Sequence, residues 1–293
     1  YRKETPLPFP VAGAVYLPGM AQFHPLRFLY GLASNLKIRE NTPVLGISNG
    51  VAFTERGKIL ARKIIVATHF PLGRFRGLYF MKLYQRRSYV VALGGGPNVE
   101  GTYAGMGANG ISLRNFGDNL FLSGGSEMCI RDRKGGWETV RNFAERHFPG
   151  LPERYAWANQ DCMTLDGLPY VGAFSPHTPD LYVATGFGAW GMTNSMAAAT
   201  LLADLVTGKE SPYTAVYSPS RSMLRLQLLS NLGHTLSNFL RLTPRRCSHM
   251  GCALKWNPAE HSWDCPCHGS RFTADGAVLD SPAQSEIHPD GKA

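Results

Sequence analysis

Apolar and polar positions alternate loosely over Val11–Leu17, which predicts a strand. Pro25 stands where a helix would open, and Leu26–Leu36 then places apolar residues at helical spacing. Val44–Phe53 reads as a hairpin around Asn49-Gly50, a favoured two-residue turn. Ile59–Thr68 contains the short apolar run from Ile64 to Ala67 and reads as a strand ending in small residues. Ser88–Leu93, Asn119–Ser123 and Leu181–Thr185 are further strand candidates. Trp137–Phe148 has helical spacing and stops at Pro149-Gly150, and Gly191–Val206 is an Ala-rich helix ended by Gly208. Met223–Leu240 is a third helical stretch, and Phe239–Thr243 is the one strand candidate just before Cys247. Strands, helices and hairpins are mixed, so the body is expected to be α/β or α+β.

With 293 residues the chain is long enough for two domains, and its apolar fraction of 44% is ordinary for a globular protein. The net charge of +9 is spread over residues such as Arg86, Arg87, Arg131, Arg133, Arg245 and Arg246. No nucleic-acid-binding motif accompanies it, so the charge suits solubility or the docking of an acidic electron donor, not nucleic acid. No apolar run approaches the ~18 residues of a membrane helix. The nearest, Ala197–Val206, is interrupted by Asp204, and nothing resembles a signal peptide, so no membrane span is expected. Cys129 and Cys162 look unpaired, which suits a cytoplasmic protein.

Chemistry enters with the other four cysteines. Cys247-Ser248-His249 and Cys265-Pro266-Cys267-His268 form two short clips, C-x-H and C-x-x-H. Together they offer Cys247, His249, Cys265 and His268 as four soft ligands. A [2Fe–2S] cluster can take two thiolates on one iron and two imidazoles on the other, and imidazole raises its potential above an all-thiolate cluster. A structural zinc ion accepts the same ligands in tetrahedral geometry, and is the alternative.

A second passage, from Ala184 through Gly186, Phe187, Gly188, Gly191, Met192 and Thr193 to Asn194, joins the last body strand to the Ala-rich helix. Glycine lets backbone approach a flat ligand closely, and a helix start presents free N–H groups and a positive dipole end. An electron-rich flavin edge would be stabilised there; a tight strand–helix turn without a ligand fits equally well. Tyr89 and Tyr170 are candidates to line a pocket, whereas His69, His147, Trp137 and Trp157 read as packing or hydrogen-bonded residues.

The segments CSHMGCALKWN, WDCPCHGSRF and DGAVLDSPA between Cys247 and Pro282 closely resemble a Rieske domain. That resemblance implies a [2Fe–2S] cluster on the four ligands above and a disulfide between Cys252 and Cys267 tying the two loops together. From Phe9 to Arg221 the chain resembles an FAD-dependent oxidoreductase of the D-amino-acid oxidase type, through AQFHPLRFLYGLA, VATHFP, QRRSYVVAL, QDCMTLDGLPYVG and ATGFGAWGMTNSMAAATLLADLVTG. This implies FAD, with Gly186, Phe187, Gly188, Gly191, Met192, Thr193 and Pro169 near the ring and Val44 and Thr68 on the adenosine side. It also implies an amine or amino-acid substrate, and electron transfer through the cluster to a partner. The alternatives are a stand-alone Rieske electron carrier or a component of a Rieske oxygenase. No acid–base pair stands out as catalytic.

The resemblance implies a partial oxidoreductase domain over 1–221, a linker helix over 222–243 and a small all-β Rieske domain over 244–293. The sequence departs from the oxidoreductase pattern at its start. The strand, G-x-G-x-x-G and helix that hold the FAD pyrophosphate are absent, so the chain is expected to be an N-terminally truncated piece that holds flavin poorly. Gly105-Met106-Gly107-Ala108-Asn109-Gly110 has the spacing but neither a buried strand before it nor a helix after it, and reads as a loop. Ser126–Arg133 fits neither the family's loop nor its surroundings and resembles translated sequencing-adapter sequence, so Cys129 is assigned no function. The cluster domain is short of the strands that usually precede the first cluster loop.

Overall fold

A computed structural model describes residues 1–72, 76–107, 110–128 and 136–287. In chain order its elements are α1 (Pro25–Ala33), β1 (Val44–Ser48), β2 (Val51–Thr54), β3 (Gly57–Leu60), β4 (Ile64–Val66), α2 (Tyr79–Lys82), β5 (Leu83–Gly94) and β6 (Thr102–Tyr103). There follow β7 (Ser112–Phe116), β8 (Asn119–Met128), α3 (Gly136–His147), β9 (Glu153–Thr164), β10 (Tyr170–Ala173), β11 (Leu181–Thr185), α4 (Gly191–Thr207), α5 (Thr214–Tyr217) and α6 (Leu226–Phe239). The chain closes with β12 (Lys255–Asn257), β13 (Ser262–Asp264), β14 (Arg271–Phe272) and β15 (Val278–Asp280). The mixed α/β body and small all-β end agree with the sequence pattern.

Two compact units divide these elements. The first consists of Tyr1–Thr42, Ser88–Ser126 and Lys134–Asn159. Its sheet runs β6-β7-β8-β5-β9. Val91, Leu93, Leu113, Leu120 and Leu122 from the sheet close on Val140 of α3, and each is nearly or wholly buried. Tyr89 and Trp137 belong to this core, with rings 4.9 Å apart, so Tyr89 serves as a packing residue.

The second unit, chiefly Pro43–Arg87 and Gln160–Ala293, contains the last residues of β9 and the first of β5. It holds three sheets: the antiparallel meander β1-β2-β3, the mixed sheet β10-β11-β4 and the antiparallel sheet β12-β13-β14-β15. Parallel pairing of β11 with β4 puts Val183 opposite Val66, and antiparallel pairing puts Tyr170 opposite Thr185. Thr68, Pro169 and Gly186 are therefore brought to one end of this sheet. Asn49 and Gly50, with φ of 47° and 74°, form the expected hairpin turn.

Several expectations are corrected. Val11–Leu17 is not a strand: Ala14 makes one bridge to Arg2, and Val15, Tyr16 and Leu17 are exposed. Apolar alternation alone cannot hold a strand that has no ladder to join. The strand expected over Ile59–Thr68 is two strands, because β3 pairs with β2 while β4 crosses to β11. Phe239 ends α6 instead of opening a strand, so the cluster domain's sheet begins after its first cluster loop. β9 was not expected; its first half is exposed, and period-two burial starts only near Gln160. Gly105–Gly110 links β6 to β7 with no helix among its described residues, as a loop should; Ala108 and Asn109 lie outside them. Cys129–Arg133 also lies outside the described residues.

Candidate metal centre and flavin turn

The two clips fold into matching loops. The Cys247 N–H donates to the Cys252 carbonyl at 2.9 Å, and the Gly251 N–H returns to the Cys247 carbonyl at 2.8 Å. In the second loop the Cys265 N–H donates to the Ser270 carbonyl at 2.8 Å, and the Gly269 N–H to the Cys265 carbonyl at 3.1 Å. Each closure turns on a left-handed residue at its fifth position, Gly251 at φ 77° and Gly269 at φ 87°. The glycines of C-S-H-M-G-C and C-P-C-H-G-S are thus required by backbone conformation. The first loop precedes β12, and the second joins β13 to β14.

These loops gather all four candidate ligands. Cys247 and Cys265 are fully buried, and the rings of His249 and His268 stand perpendicular at 5.1 Å. The Cys265 sulfur hydrogen-bonds Cys247 and, with burial, pushes the Cys247 thiol well above its ordinary value. Deprotonated together, two sulfurs so close and out of water would need a cation between them, as metal ligands have. His268 supplies a further sign. Its Nε2 lies 3.0 Å from the Phe80 carbonyl, which can only accept, so the ring proton sits on Nε2. Nδ1 is then a bare lone pair, buried and without a hydrogen-bond partner among the described residues. Burial lowers the His268 pKa to about 4 and keeps the imidazole neutral. A neutral ring whose second nitrogen is pinned to a carbonyl, beside buried thiols, has the character of a metal ligand. The donor set fits an iron–sulfur cluster.

Cys252 and Cys267 also reach this point. Their sulfurs and that of Cys265 lie within 4.8 Å of one another. Cys252 and Cys267 are separate thiols here, close enough to pair but not joined.

The flavin turn is more selective than its glycines suggest. Gly186 is left-handed, with φ of 74°, and a side chain there would collide with Thr164 of β9. Gly188 is left-handed as well and sits against Met163. Both glycines are accounted for by backbone and protein neighbours. Gly191 differs: its φ of −52° is helical, and a side chain on it would meet nothing within 4 Å. It opens α4, whose 17 residues begin without a side-chain cap. The N–H groups of Gly191, Met192 and Thr193 are thus in the position of orphan helix donors, beside an open surface that fits a polar ring edge. Asn194 bonds back to the Phe187 carbonyl at 2.9 Å and stiffens the turn. Pro169 is held through its carbonyl by Arg221 at 3.0 Å. Val44 stands apart, at the head of β1, and its carbonyl accepts from Gln284 at 2.9 Å. Tyr170 is 1% exposed, with the Arg221 guanidinium 3.9 Å over its ring, so it is core and not pocket lining.

A fold of this kind, with these two loops at its end, defines a flavin-type oxidoreductase joined to an iron–sulfur domain, and comparison with known proteins agrees. The family model for FAD dependent oxidoreductases (DAO) matches residues 2–205, and the chain belongs to that family. The model for the Rieske [2Fe-2S] domain matches residues 234–289. FAD and a [2Fe–2S] cluster are the cofactors of these two domains. The putative Rieske 2Fe-2S iron-sulfur protein YhfW of Bacillus subtilis is 33% identical, over 96% of this chain and 67% of the relative. Among solved structures, glycine oxidase from Geobacillus kaustophilus is similar at 27% identity and a TM-score of 0.54, over 63% of this chain and 53% of that one. L-proline dehydrogenase from P. horikoshii shares the fold at 18% identity and a TM-score of 0.52, over 66% of this chain and 57% of that one. The chain therefore spans little more than half of these solved relatives. No helix among the described residues is long and apolar enough to cross a membrane.

Sequence reasoning missed Phe70, Phe80 and Gln160, which meet the cluster loops, and Arg87, which meets Glu260 and Asp264 of the neighbouring hairpin. The available signal was in β5, where Gln85 and Arg87 alternate inward with Leu83 and are all but buried. Polar residues at core positions call for a partner.

Proposed function

We propose that this chain is part of a flavoenzyme that oxidises an amine or amino-acid-like substrate at the carbon beside nitrogen and passes the electrons through a Rieske cluster. Cys247, His249, Cys265 and His268 hold the cluster in this reading. The observation that carries it is the buried, bare Nδ1 of His268 beside buried thiols, with its Nε2 proton fixed on the Phe80 carbonyl. A structural zinc ion would accept the same atoms; the match of residues 234–289 to the Rieske family favours the cluster. Cys252 and Cys267 close a disulfide that clamps the loops.

On the flavin side, the Gly191–Thr193 backbone donates to the electron-rich edge of the ring, while Gly186, Phe187 and Gly188 shape the approach. Thr68 and Pro169 stand at the same sheet end, and Val44 belongs to the adenosine side. FAD, when bound, accepts the hydride, which leaves the protein to orient the substrate and exclude water. Similarity to glycine oxidase supports a CH–NH donor. The unpaired, buried Cys162 suits a cytoplasmic location.

The holoprotein should be yellow-brown, show a rhombic Rieske EPR signal when reduced, and lose flavin absorbance on anaerobic addition of an amino acid such as glycine. A colourless protein with stoichiometric zinc rejects the cluster. A panel of amines and amino acids that leaves the flavin oxidised rejects the substrate class.

A further inference from the structure

Both cluster histidines face Phe70. The Phe70 ring is 5.7 Å from His249 and 5.9 Å from His268, edge to face, and is itself 2% exposed. Phe70 belongs to the segment that leaves β4 toward the flavin turn. The Thr68 hydroxyl donates to the Phe70 carbonyl at 2.9 Å, and the Thr185 hydroxyl to the His69 carbonyl at 2.5 Å. Thr185 is the residue before Gly186. One short segment therefore touches the cluster histidines at Phe70 and the start of the flavin turn at His69.

Two strands make the same connection. On β5, Leu83 lies against Gly186, and Gln85 lies where a side chain on Gly269 would be, 2.5 Å from its Cβ position. On β9, Gln160 donates to the Gly269 carbonyl at 3.0 Å and to Asp280 at 2.7 Å, while Cys162 sits 3.8 Å from the Thr185 hydroxyl and Thr164 against Gly186. Two to four strand residues, about 7–13 Å, separate the cluster loop from the flavin turn along these paths. The arrangement is locked. Arg87, 2% exposed, bonds Glu260 and lies 3.4 Å from Asp264, and Arg271 bonds both carboxylates at 2.6 and 3.1 Å. The one N–H of His268 is committed to the Phe80 carbonyl.

We propose that Phe70 is the electron-transfer contact between flavin and cluster, and that the cluster's histidine edge is docked inward on it permanently instead of swinging out to meet a partner. This deepens the function proposed above and rests on it. In the step, one electron leaves the reduced flavin and one ferric iron becomes ferrous; no bond between heavy atoms forms or breaks. The second electron follows once an external one-electron acceptor, such as ferricyanide, has reoxidised the iron; the experiment below follows the first electron only. Phe70 supplies closely packed π density between the His rings and the turn, and the His69–Thr185 hydrogen bond continues the path.

The test uses the holoprotein with both cofactors, its flavin reduced by a light flash in the presence of EDTA, and follows cluster reduction by absorbance and freeze-quench EPR. The rate should be independent of protein concentration and of added glycerol. Phe70→Leu should slow it severalfold, with the flavin spectrum and the EPR signal of the dithionite-reduced cluster unchanged, and Phe70→Tyr should restore it. An unchanged rate in Phe70→Leu overturns the proposal. So does a wild-type rate that rises with protein concentration or falls with viscosity, because the cluster would then reach flavin in another molecule or after undocking. Those two wild-type arms decide the matter even if Phe70→Leu does not fold. Light supplies the electrons, so absence of amine-dependent bleaching would count against the substrate class and leave this result standing.

Discussion

At the scale of single residues, the cluster site is governed by a few polar atoms. The Ser270 hydroxyl is wholly buried, accepts the Ala283 N–H at 3.0 Å and donates to the Cys247 sulfur. A donor on a cluster sulfur stabilises the added negative charge of the reduced state. Ser270→Ala should therefore lower the reduction potential with cluster content intact, as read by an EPR-monitored redox titration; an equal or higher potential contradicts this. His268→Ser removes the bare Nδ1 and should abolish the rhombic signal altogether. These ligands were legible in the sequence because each loop closes on itself within six residues, from Cys247 to Cys252 and from Cys265 to Ser270. The residues they dock on were not. Phe80 meets His268 across 188 positions of sequence, and Gln160 meets Gly269 across 109. Phe, Gln and Arg are common types whose role exists only once the chain has folded.

At the scale of elements, the informative comparison is among three glycines of one turn. Gly186 and Gly188 are left-handed, so any side chain there strains the backbone whatever ligand is present. Gly191 is helical and open, so Gly191→Val should fold normally, Val being a slightly better helix residue than Gly. It should nevertheless lower flavin occupancy in the holoprotein; full occupancy would remove the ring from the start of α4. The sequence showed the glycines and the strand–helix order but not this difference, because φ and Cβ space are properties of the folded turn. The loop at Pro169 depends on a clamp. Arg221 makes a two-oxygen ion pair with Asp166, both distances being 2.7 Å, and also bonds the carbonyls of Leu168 and Pro169. The Arg221 hydrogen bonds hold the Asp166 carboxyl below its ordinary value. A depressed carboxylate contributes stability that is present above its unfolded pKa and is lost as pH falls through the folded one. Arg221→Met should cost about 2 kcal/mol near neutrality. The gap from wild type should shrink only below the ordinary carboxylate range, as followed by urea midpoints. A gap that stays constant into strong acid would deny the ion pair its role.

At the scale of the molecule, the flavin turn and the cluster loops lie in one unit. The contacts joining them there include a charge network, not merely a flexible tether. Arg87 and Asp264 are each 2% exposed, Glu260 is 13% exposed and shared by Arg87 and Arg271, and Asn257 adds a bond to Asp264 at 2.9 Å. Removing one charge from such a set leaves the others buried and underpaired, a cost of about 3–5 kcal/mol. Arg87→Met nearly preserves volume, so the loss would come from charge and not from packing. With the network intact, bleaching of the cluster's visible absorbance and loss of the body's far-UV circular dichroism should coincide on heating, as one cooperative event. In Arg87→Met the cluster should bleach first, roughly 10 °C below the wild-type transition by the usual scaling of stability with midpoint for this size, and the body should follow later. High salt should change the wild-type midpoint little, because a buried network is poorly screened. Separate transitions in the wild type would mean that the cluster domain is held on by its linker alone, and coincident ones in Arg87→Met that contacts other than the charge network join it to the body.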